Sequence, residues 1–144
     1  MARVSTYLNF PRQTEAAFNF YRQVFGGEFT GGIHRFKDAP PNPSCPTAPA
    51  DAELVMHIEL PILAGHVLMG ADAPESMGFA LTMGNNIHLN LEPDTRAEAL
   101  RLFQALSEGG RILMPLQDMF WGAYFGNVVD RFGVHWMVNC NEPA

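Results

Sequence analysis

Two stretches of the chain, 83 positions apart, pass through the same order of local signals. Val4 to Phe10 alternates as a strand, and Glu15 to Phe25 sets Ala17, Phe18, Tyr21, Val24 and Phe25 at helical spacing. Gly26-Gly27 stops that helix, because glycine enters a left-handed cap without strain. The order then returns. Asn86 to Leu91 reads as a strand, Asp94 as the N-cap of a helix from Thr95 to Ser107, and Gly109-Gly110 as its stop. The shift lays Glu15 on Glu98, Ala16 on Ala99, Phe20 on Phe103 and Gly26-Gly27 on Gly109-Gly110. One helix and one small sheet bury too little to fold alone, so the halves are expected to pair.

Between these anchors lie further strands. Glu28 to Lys37, Glu53 to Leu60 and Gly65 to Gly70 read as strands of the first half, and three more run from Gly110 to Cys140. Residues 38–52 carry five prolines and no apolar periodicity, and are expected to be an exposed loop that contributes little to folding. The expected division is a first module at 1–72, a linker at 73–83 and a second module at 84–144.

Charge and composition exclude several roles. The net charge is −6, from 15 acidic and 9 basic residues, with no Lys/Arg cluster to displace counterions from phosphates; nucleic acid is not an expected partner. No apolar run reaches the ~20 residues that cross a bilayer, and Met1 to Tyr7 lacks the apolar centre of a signal peptide. Cys45, in the proline-rich loop, and Cys140, at the end of an apolar strand, read as unpaired reduced thiols. The expectation is a cytoplasmic protein with no membrane partner.

Several strings resemble one family. They are Ala17-Phe18-Asn19-Phe20-Tyr21-Arg22-Gln23-Val24-Phe25-Gly26-Gly27, Val67 to Asp72, Gly109 to Leu116, and Phe120-Trp121-Gly122 through Asp130-Arg131-Phe132-Gly133-Val134-His135-Trp136. In this order they resemble the vicinal-oxygen-chelate superfamily of glyoxalases, bleomycin-resistance proteins and extradiol dioxygenases, in its PhnB-like branch. The resemblance implies an α+β fold of paired βαβββ modules, with half-barrel sheets carrying one main helix each and completed in a homodimer. The branch often carries a methyltransferase label, but the sequence has no Gly-rich strand-to-helix turn to cradle an adenosyl cofactor.

The resemblance also implies four metal-ligand positions, on the first, fourth, fifth and eighth strands, filled by His or Glu in active members. Counted by family spacing, the first, fourth and eighth-strand positions fall on Thr6, Met69 and Met137, none of which suits a hard divalent ion. His88 stands at the fifth-strand position or two residues from it. Parity turns Asn86, His88 and Asn90 toward the cavity and Ile87, Leu89 and Leu91 toward the helix. Leu8, Trp121, Phe125 and His135 complete the expected cavity lining, with Trp136 in the core. His57 and Glu59 read as a solvated strand face, and Asp72 as the start of the linker turn. Cys140 has no electropositive setting to activate it, and no catalytic residue is assigned.

These features favour a small-molecule-binding protein with no metal and no cofactor, taking an apolar or aromatic ligand. Against it stand a metal-dependent lyase, isomerase or dioxygenase-type enzyme with His88 as general base, and a scaffold whose dimer is its purpose. A homodimer is expected in each case, because a half-barrel leaves a wide sheet face uncovered. Sedimentation equilibrium at micromolar concentration should give twice the 15.9 kDa chain mass; a stable monomer would count against it.

Overall fold

An alternating strand followed by an amphipathic helix buries one face of each, and the chain does this twice. The computed structural model describes residues 1–44 and 46–144, so the reading of Cys45 lies outside the described residues. The chain divides into two units, Met1–Thr82 and Met83–Ala144. Each is a βαβββ module.

The first unit contains β1 (Thr6–Phe10), α1 (Thr14–Phe25), β2 (His34–Arg35), β3 (Val55–Pro61) and β4 (Val67–Asp72). Its sheet has the order β1-β4-β3-β2, with β1 parallel to β4 and the other neighbours antiparallel. Helix α1 buries Ala17, Phe18, Phe20, Tyr21 and Val24, and the sheet meets it with Phe10, Ile58, Leu60 and Leu68, all fully buried. A glycine sets how closely they approach. A Cβ at Gly70 would stand 2.5 Å from Phe18 Cε1, so the ring occupies the space a side chain would need.

The second unit contains β5 (Leu89–Leu91), α2 (Arg96–Ser107), β6 (Arg111–Asp118), β7 (Tyr124–Val129) and β8 (His135–Cys140), in the order β5-β8-β7-β6. Helix α2 buries Ala99, Leu102, Phe103 and Leu106. Trp136, Val128, Val138 and Cys140 are fully buried in the same unit. Here too a glycine admits a ring, for a Cβ at Gly126 would stand 2.6 Å from Phe103 Cε2. Among the described residues no helix is long and apolar enough to cross a membrane.

Two buried carboxylates join the elements. Asp72, closing β4, accepts hydrogen bonds from Thr14 N (3.1 Å) and Oγ1 (2.8 Å) at the start of α1, and from Val55 N (2.9 Å) at the start of β3. It belongs to a strand and ties three elements together, rather than opening the linker turn. Asp130 accepts from Phe132 N (2.8 Å), Val134 N (3.1 Å) and the Trp136 indole (2.9 Å), which fixes the β7–β8 hairpin and places Trp136 in the core as expected.

Some expectations shift. The helices are each twelve residues long, and their ends correspond at a spacing of 82, not 83, so Phe103 matches Tyr21 rather than Phe20. The extra residue lies at the C-terminus, where Glu108 stands between α2 and Gly109 while Gly26 caps α1 directly; at the N-terminus Thr95 and not Asp94 is the cap, its hydroxyl accepting from Glu98 N (3.2 Å). The second strand shrinks to His34–Arg35, because Gly31 and Gly32 both adopt positive φ just before it. Residues 38–52 are not simply exposed. Asp51 is buried, paired with the Arg12 guanidinium at 2.7 Å and bonded by Ser76 Oγ. Those bonds, from Ser76 and then Arg12, hold its carboxyl below the usual range.

Gly70→Ala should destabilise the protein by roughly 1–3 kcal/mol, because the added methyl must displace Phe18 or the strand. Urea unfolding measures this, and a second change, Phe18→Leu, should recover part of the loss.

Candidate functional site

Residues in register on neighbouring strands project to one side of a sheet, so the pairings decide which side chains share a face. In the first unit Thr6 pairs with Leu68, and Leu68 with Leu60. Leu68 and Leu60 are fully buried, and the next row, Leu8–Gly70–Ile58, meets Phe18 of α1. Thr6 and Leu8 therefore lie on the helix side, not in an open cavity beside Met69. Thr6 Oγ1 is hydrogen-bonded to His66 Nε2 at 2.8 Å.

The opposite face of that sheet carries the row Tyr7–Met69–Glu59. Tyr7, half exposed, is the true neighbour of Met69. Its phenol oxygen lies 3.2 Å from His57 Nδ1, and His57 Nε2 lies 2.9 Å from Glu59 Oε1. His34, paired with His57 across β2 and β3, brings a second imidazole, with ring centroids 6.4 Å apart. Burial, and then the charge of Glu59, raises the Tyr7 phenol above its usual pKa. His57 and Glu59 are thus members of a connected cluster rather than a solvated strand face.

In the second unit the face arithmetic holds for Leu89 and Leu91, but not for Ile87, which is exposed rather than turned to the helix. Leu89, Trp136 and Val128 form one row and Leu91, Val138 and Gly126 the next, under α2. The open face carries the row Asn90–Met137–Asn127–Met114. His135 faces Val129 in the row beside it, and Phe125 faces Asn139 in the row on the other side. His88, just before β5, packs edge-on against His135 with ring centroids 5.1 Å apart. Asn90 is the cross-strand neighbour of Met137, so His88 stands two residues from that position. Asn86 and Ile87 are exposed ahead of the strand, because β5 begins only at Leu89. Trp121, exposed in the β6–β7 turn, meets Phe125 edge-on at 6.4 Å.

Two atoms on this face are left without partners. Asn127 Oδ1 and His135 Nδ1 are buried and make no hydrogen bond among the described residues. Sequence reasoning missed Asn127, although its place between buried Gly126 and Val128 marks it as facing the other way. Tyr7 was missed as well, and its alternation against Leu8 and Phe10 is the same signal.

The metal positions can be tested on these rows. Beside Met69 and Met137 stand Tyr7 and Asn90, a phenol and an amide with two thioethers. A hard divalent ion selects carboxylate and imidazole donors, which this set does not supply. Among the described residues no group of three or more His, Cys, Asp or Glu gathers to hold a metal ion.

Comparison with known proteins gives one family. The sequence model of the Glyoxalase/Bleomycin resistance protein/Dioxygenase superfamily matches residues 5–138. Protein YjdN of Escherichia coli is 31% identical over 141 residues, covering 94% of this chain and 93% of its own. The crystal structure of a Pseudomonas aeruginosa protein is similar at 36% identity and a TM-score of 0.84, covering 97% of this chain and 98% of its own. The PhnB protein of Bacillus cereus follows at 27% identity and a TM-score of 0.74, over 96% and 99%.

The His135 imidazole is held below its ordinary pKa, first by burial and then by His88 and Arg111, with Asp130 opposing. The unfolded chain therefore binds a proton more readily than the folded one. The stability this residue provides is complete above the ordinary value of 6.5 and falls as pH drops below it toward the folded value. Between neutral pH and about pH 5, His135→Gln should lose less melting temperature than the wild type. Thermal unfolding at a series of pH values checks this, and parallel losses would show that His135 is not responsible.

Proposed function

Because the chain belongs to the Glyoxalase/Bleomycin resistance protein/Dioxygenase superfamily, we propose that it binds an apolar or aromatic small molecule without a metal ion, on the open face of the second sheet. One observation carries the reading: among the described residues Asn127 Oδ1 and His135 Nδ1 are buried without partners, on the face lined by Met137. A buried polar atom left unmade costs about 1–3 kcal/mol, so a ligand with a donor for the Asn127 oxygen is favoured there. Met137 and Met114 offer adaptable apolar surface, and Phe125 with Trp121 provides aromatic edges at one end. Such a lining, apolar with a few convergent polar groups, suits a ligand of large apolar area and few hydrogen bonds. His88, against His135, supplies a further imidazole contact that orients the ligand.

The partner in this reading is a second copy of the chain. Each sheet carries a helix on one face only, and the edge strand β6 exposes Ile112, Leu113 and Met114.

His88→Ala should weaken an aromatic ligand, found by thermal-shift screening, roughly 5- to 150-fold, the equivalent of losing one buried hydrogen bond. EDTA should leave the affinity unchanged. Loss of binding in chelator, restored by Zn²⁺ or Mn²⁺, would overturn the metal-free reading and put an enzyme in its place.

A further inference from the structure

We infer that the open face of the second sheet selects its ligand by a neutral N–H donor of carboxamide or lactam type, held between Asn127 and His135. The inference rests on the reading of that face as the binding site and names the chemistry it takes.

Both residues stand on the face opposite the core. Gly126 and Val128 lie buried on either side of Asn127, and Trp136 follows His135 into the core. Asn127 pairs with Met137 across β7 and β8, and Val129 with His135, so Asn127 and His135 are diagonal neighbours on adjacent strands. Such neighbours lie about 7–8 Å apart, within reach of one small polar group placed between them. Asn127 Oδ1 and His135 Nδ1 are buried and make no hydrogen bond among the described residues, and no other buried side-chain nitrogen or oxygen described there is left so. Two orphaned atoms side by side, on the face that α2 does not cover, form one unfilled recognition point.

The chemistry of the pair fixes that of the ligand. An amide oxygen only accepts, so whatever meets Asn127 Oδ1 brings a hydrogen. A carboxylate or phenolate would set its lone pairs against that oxygen. Burial favours the neutral form of His135, which carries its one ring hydrogen on either nitrogen. His135 Nδ1 therefore accepts from a second N–H or donates to a carbonyl. A cation fares no better than an anion. In the rows of Asn127 and His135 the one fixed charge is that of Arg111, opposite Val129, and no carboxylate stands there to balance a positive ligand.

A carboxamide meets each of these demands. It is neutral, one N–H donates to Asn127 Oδ1, and its other N–H or its carbonyl faces His135. Met137 and Met114, in the row of Asn127, give the attached ring an apolar, polarisable surface.

The probes are 2-naphthamide, methyl 2-naphthoate and 2-naphthoate, which share one ring system and differ in the polar group alone. Calorimetric titration of the full-length protein near neutral pH should give the amide an affinity at least about tenfold above the ester and the carboxylate. Asn127→Leu should abolish the preference by weakening the amide. It should also raise the melting temperature of the unliganded protein, because it deletes a buried acceptor that has no partner. A fall would show that Asn127 serves the fold, and would overturn the inference. His135→Phe should narrow the preference, and Asn127→Asp, which keeps an accepting oxygen, should retain amide over ester. Equal affinity for amide and ester, or a preference that survives Asn127→Leu, overturns the inference and leaves the apolar binding reading standing. Tightest binding of the carboxylate overturns it in favour of an anion held by Arg111. Failure of all three probes to bind removes the inference together with the reading beneath it.

Discussion

A four-stranded sheet has two faces, and each unit of this chain supplies one helix to cover them. Everything else follows from that shortage. The covered face is apolar and sealed, with an aromatic ring set into a glycine at Gly70 and again at Gly126. Two buried carboxylates there each meet three N–H or O–H donors, which makes burial tolerable. Asp72 and Asp130 thus act as junctions, joining elements that hydrophobic contact alone would leave free to slide. The uncovered face collects what the core rejects.

The two uncovered faces share a layout and differ in chemistry. Met69 sits beside Tyr7 and Glu59, and Met137 beside Asn90 and Asn127, at matching places in the two modules. One row is ionisable and wired by hydrogen bonds, and the other is neutral, with Asn127 Oδ1 unsatisfied among the described residues and His135 Nδ1 likewise in the row beside it. Duplication of the scaffold has therefore not duplicated the site. The fold supplies positions, and side chains decide what occurs at them.

Much of this was legible in the sequence, for reasons that also explain the failures. Leu89 and Leu91 against His88 and Asn90, or Trp136 and Val138 against His135 and Met137, sort cleanly by polarity, so the second open face could be read directly. In β1 the sorting was available too, since Leu8 and Phe10 mark the helix side, but counting by family spacing selected Thr6 where Tyr7 stands. A one-residue slip in a strand exchanges its faces completely. What no periodicity contains is register between strands distant in sequence. Tyr7 and His57 are fifty residues apart and meet across an intervening strand. The same limit hid the partner of Asp51, thirty-nine residues from Arg12.

That last contact changes the character of the longest excursion in the first unit. A stretch leaving the sheet after Arg35 and rejoining it at Val55 is pinned near its return by a buried carboxylate, so its two ends are held whatever lies between them. Closing a longer loop between fixed ends costs only about 0.6 kcal/mol for each doubling of length. Insertions ahead of Asp51 are therefore cheap and leave the strands undisturbed. The place where such a chain can lengthen, acquire a graft or diverge among its kin is set by one aspartate.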